Sequence, residues 1–183
     1  MGGHYPYLAV KIMKWRKELK GGLLLTEPLA DQVTQKIEQA ATLYYRLVIL
    51  IAPSGAGKTR ALQEVAKRTG APLINLNLEI SRRMLDLTER QRALQVPRIV
   101  GEIVNKSDGS TVLLDNIEIL FDVSLKQDPL RLLQGISRNK TVVAAWNGCI
   151  LSGQMIYATP DHPEYRKYPI CDFLVVSPEE KTS

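Results

Sequence analysis

Residues 52–59 read Ala-Pro-Ser-Gly-Ala-Gly-Lys-Thr and directly follow the apolar run Arg46-Leu47-Val48-Ile49-Leu50-Ile51. The residue types and their spacing suit the binding of a polyphosphate. Gly55 and Gly57 allow positive φ, so in the binding loop Pro53-Ser54-Gly55-Ala56-Gly57-Lys58-Thr59-Arg60 the successive backbone N–H groups after Pro53 can converge on one anion. A helix starting near Gly57 would aim its positive dipole end at the same point. Lys58 has the reach for β- and γ-phosphates, and the Thr59 hydroxyl is a hard oxygen ligand for Mg²⁺. The motif's usual first glycine is Ala52 here, at a position that begins the turn rather than touching phosphate. A glycine-rich turn that merely happens to carry a lysine would lack the flanking context. This one has a strand-like run before it and Ala61, Leu62, Val65 and Ala66 at helical spacing after it.

The second part of such a site is a carboxylate. Thr111-Val112-Leu113-Leu114-Asp115 reads as a buried strand ending in one. An aspartate there would hold Mg²⁺ opposite Thr59. The following position, where a glutamate commonly activates water, is Asn116, an amide without useful basicity. Glu118 is the nearest carboxylate, and the turn after Asn116 decides whether it points toward the site or away. Asn147, after the strand Thr141–Trp146, can reach the γ-phosphate or the attacking water. Arg138 in Ser137-Arg138-Asn139-Lys140 reads either as a finger for a neighbour's triphosphate or as a solvated arginine at a helix end. The run Asn105-Lys106-Ser107-Asp108 spells a guanine-reading motif, but it precedes Asp115 and follows an apparent helix, so ATP is expected rather than GTP. His162, between Asp161 and Pro163, has no second histidine at ligand spacing and reads as part of a loop.

Positioning these groups requires alternating strands and helices, hence an α/β fold with a mainly parallel sheet. Thr26-Glu27-Pro28 starts a helix with Leu29, Val33, Ile37, Ala41 and Tyr44 on its buried stripe. Leu73–Asn77 is a second strand. A polar helix over Ile80–Gln95, carrying Arg82, Arg83, Arg90 and Arg92, is interrupted by Pro97 and resumes over Ile99–Asn105. Asp128 caps a helix with Pro129 in its first turn. Ile150-Leu151 and Met155-Ile156-Tyr157 form a hairpin about Ser152-Gly153-Gln154, Thr159–Pro169 is a loop, and Phe173–Val176 is the last strand. At 183 residues the chain holds one full-sized domain over 23–183. It is preceded over 1–22 by a basic amphipathic helix with Leu8, Ile12, Trp15 and Leu19 on one face.

The hydrophobic and charged fractions, 45% and 23%, are those of a soluble protein, and no apolar run approaches a membrane span. With no secretory leader, Cys149 and Cys171 are expected as buried thiols in a cytoplasmic protein. A net charge of +5 and a pI near 9.2 permit contact with DNA without requiring it.

Several stretches together resemble BrxF, the small P-loop protein of type 3 BREX bacteriophage-exclusion systems. They are Asp115–Phe121, Asp128–Gln134, Ser137–Thr141, Ala145–Gly148 and Tyr157–Arg166. The resemblance spans roughly residues 25–178, leaves Met1–Gly22 aside, and is AAA-like in layout. It implies a P-loop NTPase three-layer sandwich that binds ATP and Mg²⁺. It also implies an anti-phage role beside a methyltransferase, a phosphatase-like protein, a larger ATPase and a helicase. Because only Ser177–Ser183 follow the last strand, a C-terminal helical lid is not expected, and a homo-oligomeric neighbour would have to cover the nucleotide. The expectation is an assembly-dependent ATPase that turns over slowly as a monomer. Two alternatives are a small-molecule kinase with the Arg82–Arg92 helix as lid, and a scaffold that binds ATP without hydrolysing it.

Overall fold

A computed structural model describes residues 26–178 of the chain; the 1–22 segment lies outside the described residues. The elements run α1 (Thr26–Ala40), β1 (Leu47–Ala52), α2 (Lys58–Thr69), β2 (Leu73–Asn75), α3 (Leu76–Arg83), α4 (Glu89–Lys106) and β3 (Thr111–Asp115). Two short 3-10 turns (Glu118–Phe121 and Val123–Leu125) lead to α5 (Pro129–Ile136) and β4 (Thr141–Asn147). The chain then makes β5 (Cys149–Leu151), β6 (Gln154–Tyr157), β7 (Arg166–Pro169) and β8 (Leu174–Val176).

Strands β2-β3-β4-β1-β8 form one sheet, in that order, with every pairing parallel. The central strands are near-continuous apolar runs because helices cover both faces. All six residues of β1 are buried, and they alternate between two cores. Leu47, Ile49 and Ile51 pack with α3, α4 and α5, whereas Val48 and Leu50 pack with α1 and α2. The result is an α/β protein of three layers around a parallel sheet.

Parallel pairing has a direct consequence for chemistry: the carboxyl ends of all five strands emerge on one edge. In register, Ala52 lies beside Asn147 and Asn75 beside Asp115. The order of the strands puts β4 between the loop-bearing β1 and the aspartate-bearing β3.

Four expectations of secondary structure are corrected. Helix α1 stops at Ala40, so Ala41 and Tyr44 are outside it and exposed, while Leu29 and Val33 make the buried stripe with a half-buried Ile37. The second strand ends at Asn75, whose side chain caps α3 by accepting the Leu78 N–H. The third correction concerns Pro97, which does not interrupt its helix. The break falls at residues 84–88, because Thr88 and Gln91 form a capping box that starts α4 afresh. Proline removes the N–H that Ala93 O would accept four residues earlier. Gln127 Nε2 fills that vacancy, donating to Ala93 O at 2.8 Å. The same break splits the supposed Arg82–Arg92 lid. Finally, the Thr159–Pro169 stretch is not all loop: Arg166–Pro169 pairs antiparallel with β6, and β5-β6-β7 make a small second sheet. His162 does sit in the loop, where its Nδ1 accepts the Glu164 N–H.

Cys149 is half-buried and Cys171 exposed, in place of the expected burial, and no disulfide joins them. No helix among the described residues is long and apolar enough to cross a membrane.

The small sheet is fastened to the large one at Gly148, between β4 and β5. A β-carbon on this residue would run into the backbone carbonyl oxygen of Ile156, which cannot move without breaking the β5–β6 hairpin. Gly148→Ala is therefore expected to destabilise the fold by about 1–3 kcal/mol, the usual cost of overpacking, in a urea titration.

Candidate functional site

The loop between β1 and α2 begins with Ala56 N–H donating to Pro53 O and ends at Gly57, whose left-handed backbone (φ 85°) turns the chain into the helix. Gly55 is also left-handed at φ 80°. The two glycines wrap the chain in a turn that other residues would strain, and they leave the start of α2 open to the cavity.

That cavity, about 500 Å³, is lined by Ser54, Gly55, Gly57, Lys58, Thr59, Arg60 and Gln63 from the loop and α2. Asp115, Asn116, Glu118 and Asn147 line it from the carboxyl ends of β3 and β4. The volume falls within the range of ordinary small-molecule sites. Of the residues singled out in the sequence, Pro53 and Ala56 do not line it. Pro53 instead offers its carbonyl to Lys58, and Ala56 is buried beneath the turn. Gln63 was not anticipated. It lies four residues after Thr59 on α2, hence on the same helical face, and that spacing was the available signal.

Lys58 is buried, and its Nζ donates to Ala52 O and Pro53 O, both at 2.8 Å. Burial pushes this ammonium down to about 8, against the opposing pull of Glu118 and Asp115. A poorly solvated cation facing an open cavity is suited to an anionic ligand.

Asp115 is buried at the end of β3 and accepts the Asn116 N–H at 3.0 Å. Asn116 adopts a left-handed conformation (φ 52°), which asparagine tolerates better than most side chains. Its carbonyl is held by the Asn77 N–H at 2.9 Å. This reversal ends the strand and brings Glu118 around to the cavity at the head of a 3-10 turn. The question left open by the sequence is thereby answered for geometry: Glu118 faces inward, and Asn147 Nδ2 donates to Glu118 Oε1.

Arg138 is not brought to this cavity. It lies just before β4, at the opposite edge of the parallel sheet, with its guanidinium over Tyr44 (5.6 Å) and Tyr45 (5.9 Å). Within one chain it therefore cannot act there. Asn105-Lys106-Ser107-Asp108 also sits at that far edge, at the end of α4, as expected of a chance match. Nor do Arg82, Arg83, Arg90 or Arg92 line the cavity. Arg82 pairs with Glu79, Arg83 with Glu102, and Arg92 donates to Leu87 O.

The donor set is hard oxygen: hydroxyls of Ser54 and Thr59, carboxylates of Asp115 and Glu118, and amides of Asn116 and Asn147. Among the described residues no group of three or more His, Cys, Asp or Glu side chains could hold a metal by itself. Two carboxylates beside a hydroxyl still fit Mg²⁺, which keeps most of its waters and takes the rest of its shell from phosphate.

No family model matches the chain, and no curated protein matches it. Among solved structures, that of C. elegans PCH-2 is similar at 15% identity, covering 84% of this chain and 41% of that one, with a TM-score of 0.39. The chain thus spans less than half of that protein's length, and a superposition this loose says nothing about chemistry. What fold and site define together is an α/β protein whose parallel sheet carries a glycine-loop cavity, basic on one side and carboxylate-bearing on the other.

The depressed Lys58 gives a pH signature. Below pH 8 the ammonium is charged and ready for an anion, whereas above it the free protein must take up a proton to bind one. Tripolyphosphate affinity is expected to be level below pH 8 and to fall by up to about tenfold per unit above it. Calorimetry in buffers of different ionisation enthalpy should show proton uptake at pH 8.5. For the ligand-free fold the sign is opposite. The unfolded chain keeps this proton up to 10.5 and the folded chain releases it near 8, so the Lys58 contribution to stability rises between those values.

Proposed function

We propose that the cavity is a Mg²⁺-ATP site and that the protein is a P-loop, AAA-like ATPase subunit that turns over slowly on its own. The observation that carries this reading is the convergence of three separate chain segments on one cavity. They are the Ser54–Arg60 loop, the Asp115–Glu118 turn and Asn147. The strand order β2-β3-β4-β1-β8, with one strand between loop strand and aspartate strand, favours an AAA-like layout over other phosphate-loop arrangements.

In this reading the backbone N–H groups of the loop and the Lys58 ammonium bind the phosphates. Thr59 and Asp115 are the residues that would hold Mg²⁺, directly or through water. The ion supplies neutralisation of phosphate charge when bound. Glu118 is the group placed to orient and deprotonate water, and Asn116 serves as the turn that delivers it rather than as a base. With Asn147 Nδ2 bonded to Glu118 Oε1, one of the two carboxylate oxygens is engaged by the amide, which supports slow turnover in the isolated chain. Arg138, at the far edge and exposed, is available only to a neighbouring copy, as a finger in a homo-oligomer.

The defence role, the BREX partners (a larger ATPase, a methyltransferase, a phosphatase-like protein and a helicase), contact with DNA and a cytoplasmic location belong to the same proposal. Their support is the resemblance to BrxF over Asp115–Arg166, together with net charge and composition. Among the described residues, none of Arg82, Arg83, Arg90 and Arg92 lines the cavity, so nothing there supports the kinase alternative.

Lys58→Ala is expected to weaken ATP binding by about 100-fold or more, through loss of the charge-assisted contact. Glu118→Gln should keep nucleotide affinity while reducing turnover by about 100-fold. Calorimetry and a phosphate-release assay check both, alongside size-exclusion mass measurement with and without Mg²⁺-ATP. Binding without turnover in wild type and variant alike would replace the ATPase by a nucleotide-gated scaffold.

A further inference from the structure

The Glu118–Asn147 pair is tied at both ends to one buried cluster of rings. Glu118 opens a 3-10 turn whose last residue is Phe121, and residues three apart in such a turn share a face. Phe121 is stacked on Tyr157 at 3.5 Å between centroids and 11° between planes. Trp146, the residue before Asn147, meets Phe121 edge-on at 4.8 Å and Tyr157 edge-on at 6.4 Å. Tyr168 meets Trp146 edge-on at 5.8 Å between centroids. Tyr157 and Tyr168 belong to β6 and β7, so half the cluster comes from the small sheet and half from the cavity edge.

Trp146 itself is fully buried, and its Nε1–H has no hydrogen-bond partner among the described residues, so its emission reports on the rings packed around it.

We propose that Phe121 and Tyr157 are positioning residues for Glu118: their stack fixes where the 3-10 turn sits, and release of Glu118 from Asn147 is felt in the ring cluster around Trp146. Stacked and edge-on rings have specific geometry, so losing one ring shifts the others more than an aliphatic contact would. The inference rests on reading the cavity as an ATP site, and it concerns the placement of Glu118, not the binding of phosphate.

The chain has two tryptophans, Trp15 and Trp146, so Trp15→Phe leaves Trp146 as sole indole reporter. In the full chain with that change, Mg²⁺-ATP is expected to shift the Trp146 emission, and Glu118→Ala to abolish the shift while calorimetry still shows nucleotide bound. Tyr157→Leu, which keeps apolar bulk without the ring, should lower kcat about tenfold with KM for ATP unchanged, and Tyr157→Phe should restore it to within about twofold. A merely structural role would instead move thermal stability, or kcat and KM together. Nucleotide bound by calorimetry with no change in Trp146 emission would overturn the proposal and leave the ATP reading standing. So would a Tyr157→Leu variant with unaltered kcat. Absence of nucleotide binding in the unmutated protein would instead remove the ATP reading and this inference with it.

Discussion

The backbone hydrogen bonds that pair β4 in parallel with β1 on one side and with β3 on the other hold everything else in place. Because the strands run the same way, their carboxyl ends share one edge, and the glycine loop, Asp115 and Asn147 arrive there from distant parts of the chain. Parallel pairing requires crossovers, and the crossovers here are the helices that bury both faces. The two cores are thus not incidental to the site. The alternating burial of β1 fixes its register, and a slip of one residue would exchange its two faces.

On that edge the site is finished by local backbone geometry rather than by regular structure. Gly57 turns the chain into α2, and Asn116 turns it out of β3. Both residues are left-handed, and each does for its segment what a helix or strand continuing straight could not. The Asn116 turn also carries the chain round so that Glu118, two residues later, lines the same cavity as Asp115. There Asn147 Nδ2 donates to Glu118 Oε1, joining the ends of β3 and β4 through their side chains.

A second principle runs through the elements that sequence patterns misjudged. Pro97 breaks a helical hydrogen bond, yet the helix persists because Gln127, from a remote loop, supplies the missing donor to Ala93 O. Lys140 similarly serves the end of α4, donating to Val104 O at 3.0 Å and to Ser107 O at 2.5 Å. Tertiary partners of this kind cannot be read from local propensity, since the partner lies 33 to 36 residues away. The strand Arg166–Pro169 escaped notice for a related reason. A proline-bearing, charged stretch becomes a strand only when β6 offers it an edge.

By itself the sequence determined the parts whose physics is local. It placed the loop and its lysine, the buried strands that lead to Asp115 and Asn147, the start of the helix after the loop, the Asp128 cap of the helix at Pro129, and the alternation that demands an α/β fold. Periodicity, glycine and capping chemistry act over a few residues, so a single stretch suffices to show them. Only the tertiary structure decided the relations between stretches. It set Glu118 toward the cavity and against Asn147, added Gln63 to the lining, sent Arg138 to the opposite edge beside Tyr44 and Tyr45, and gathered Phe121, Trp146 and Tyr157 into one cluster. Each of these depends on strand order and on the direction of a turn, and neither quantity is written in the spacing of residues along one segment.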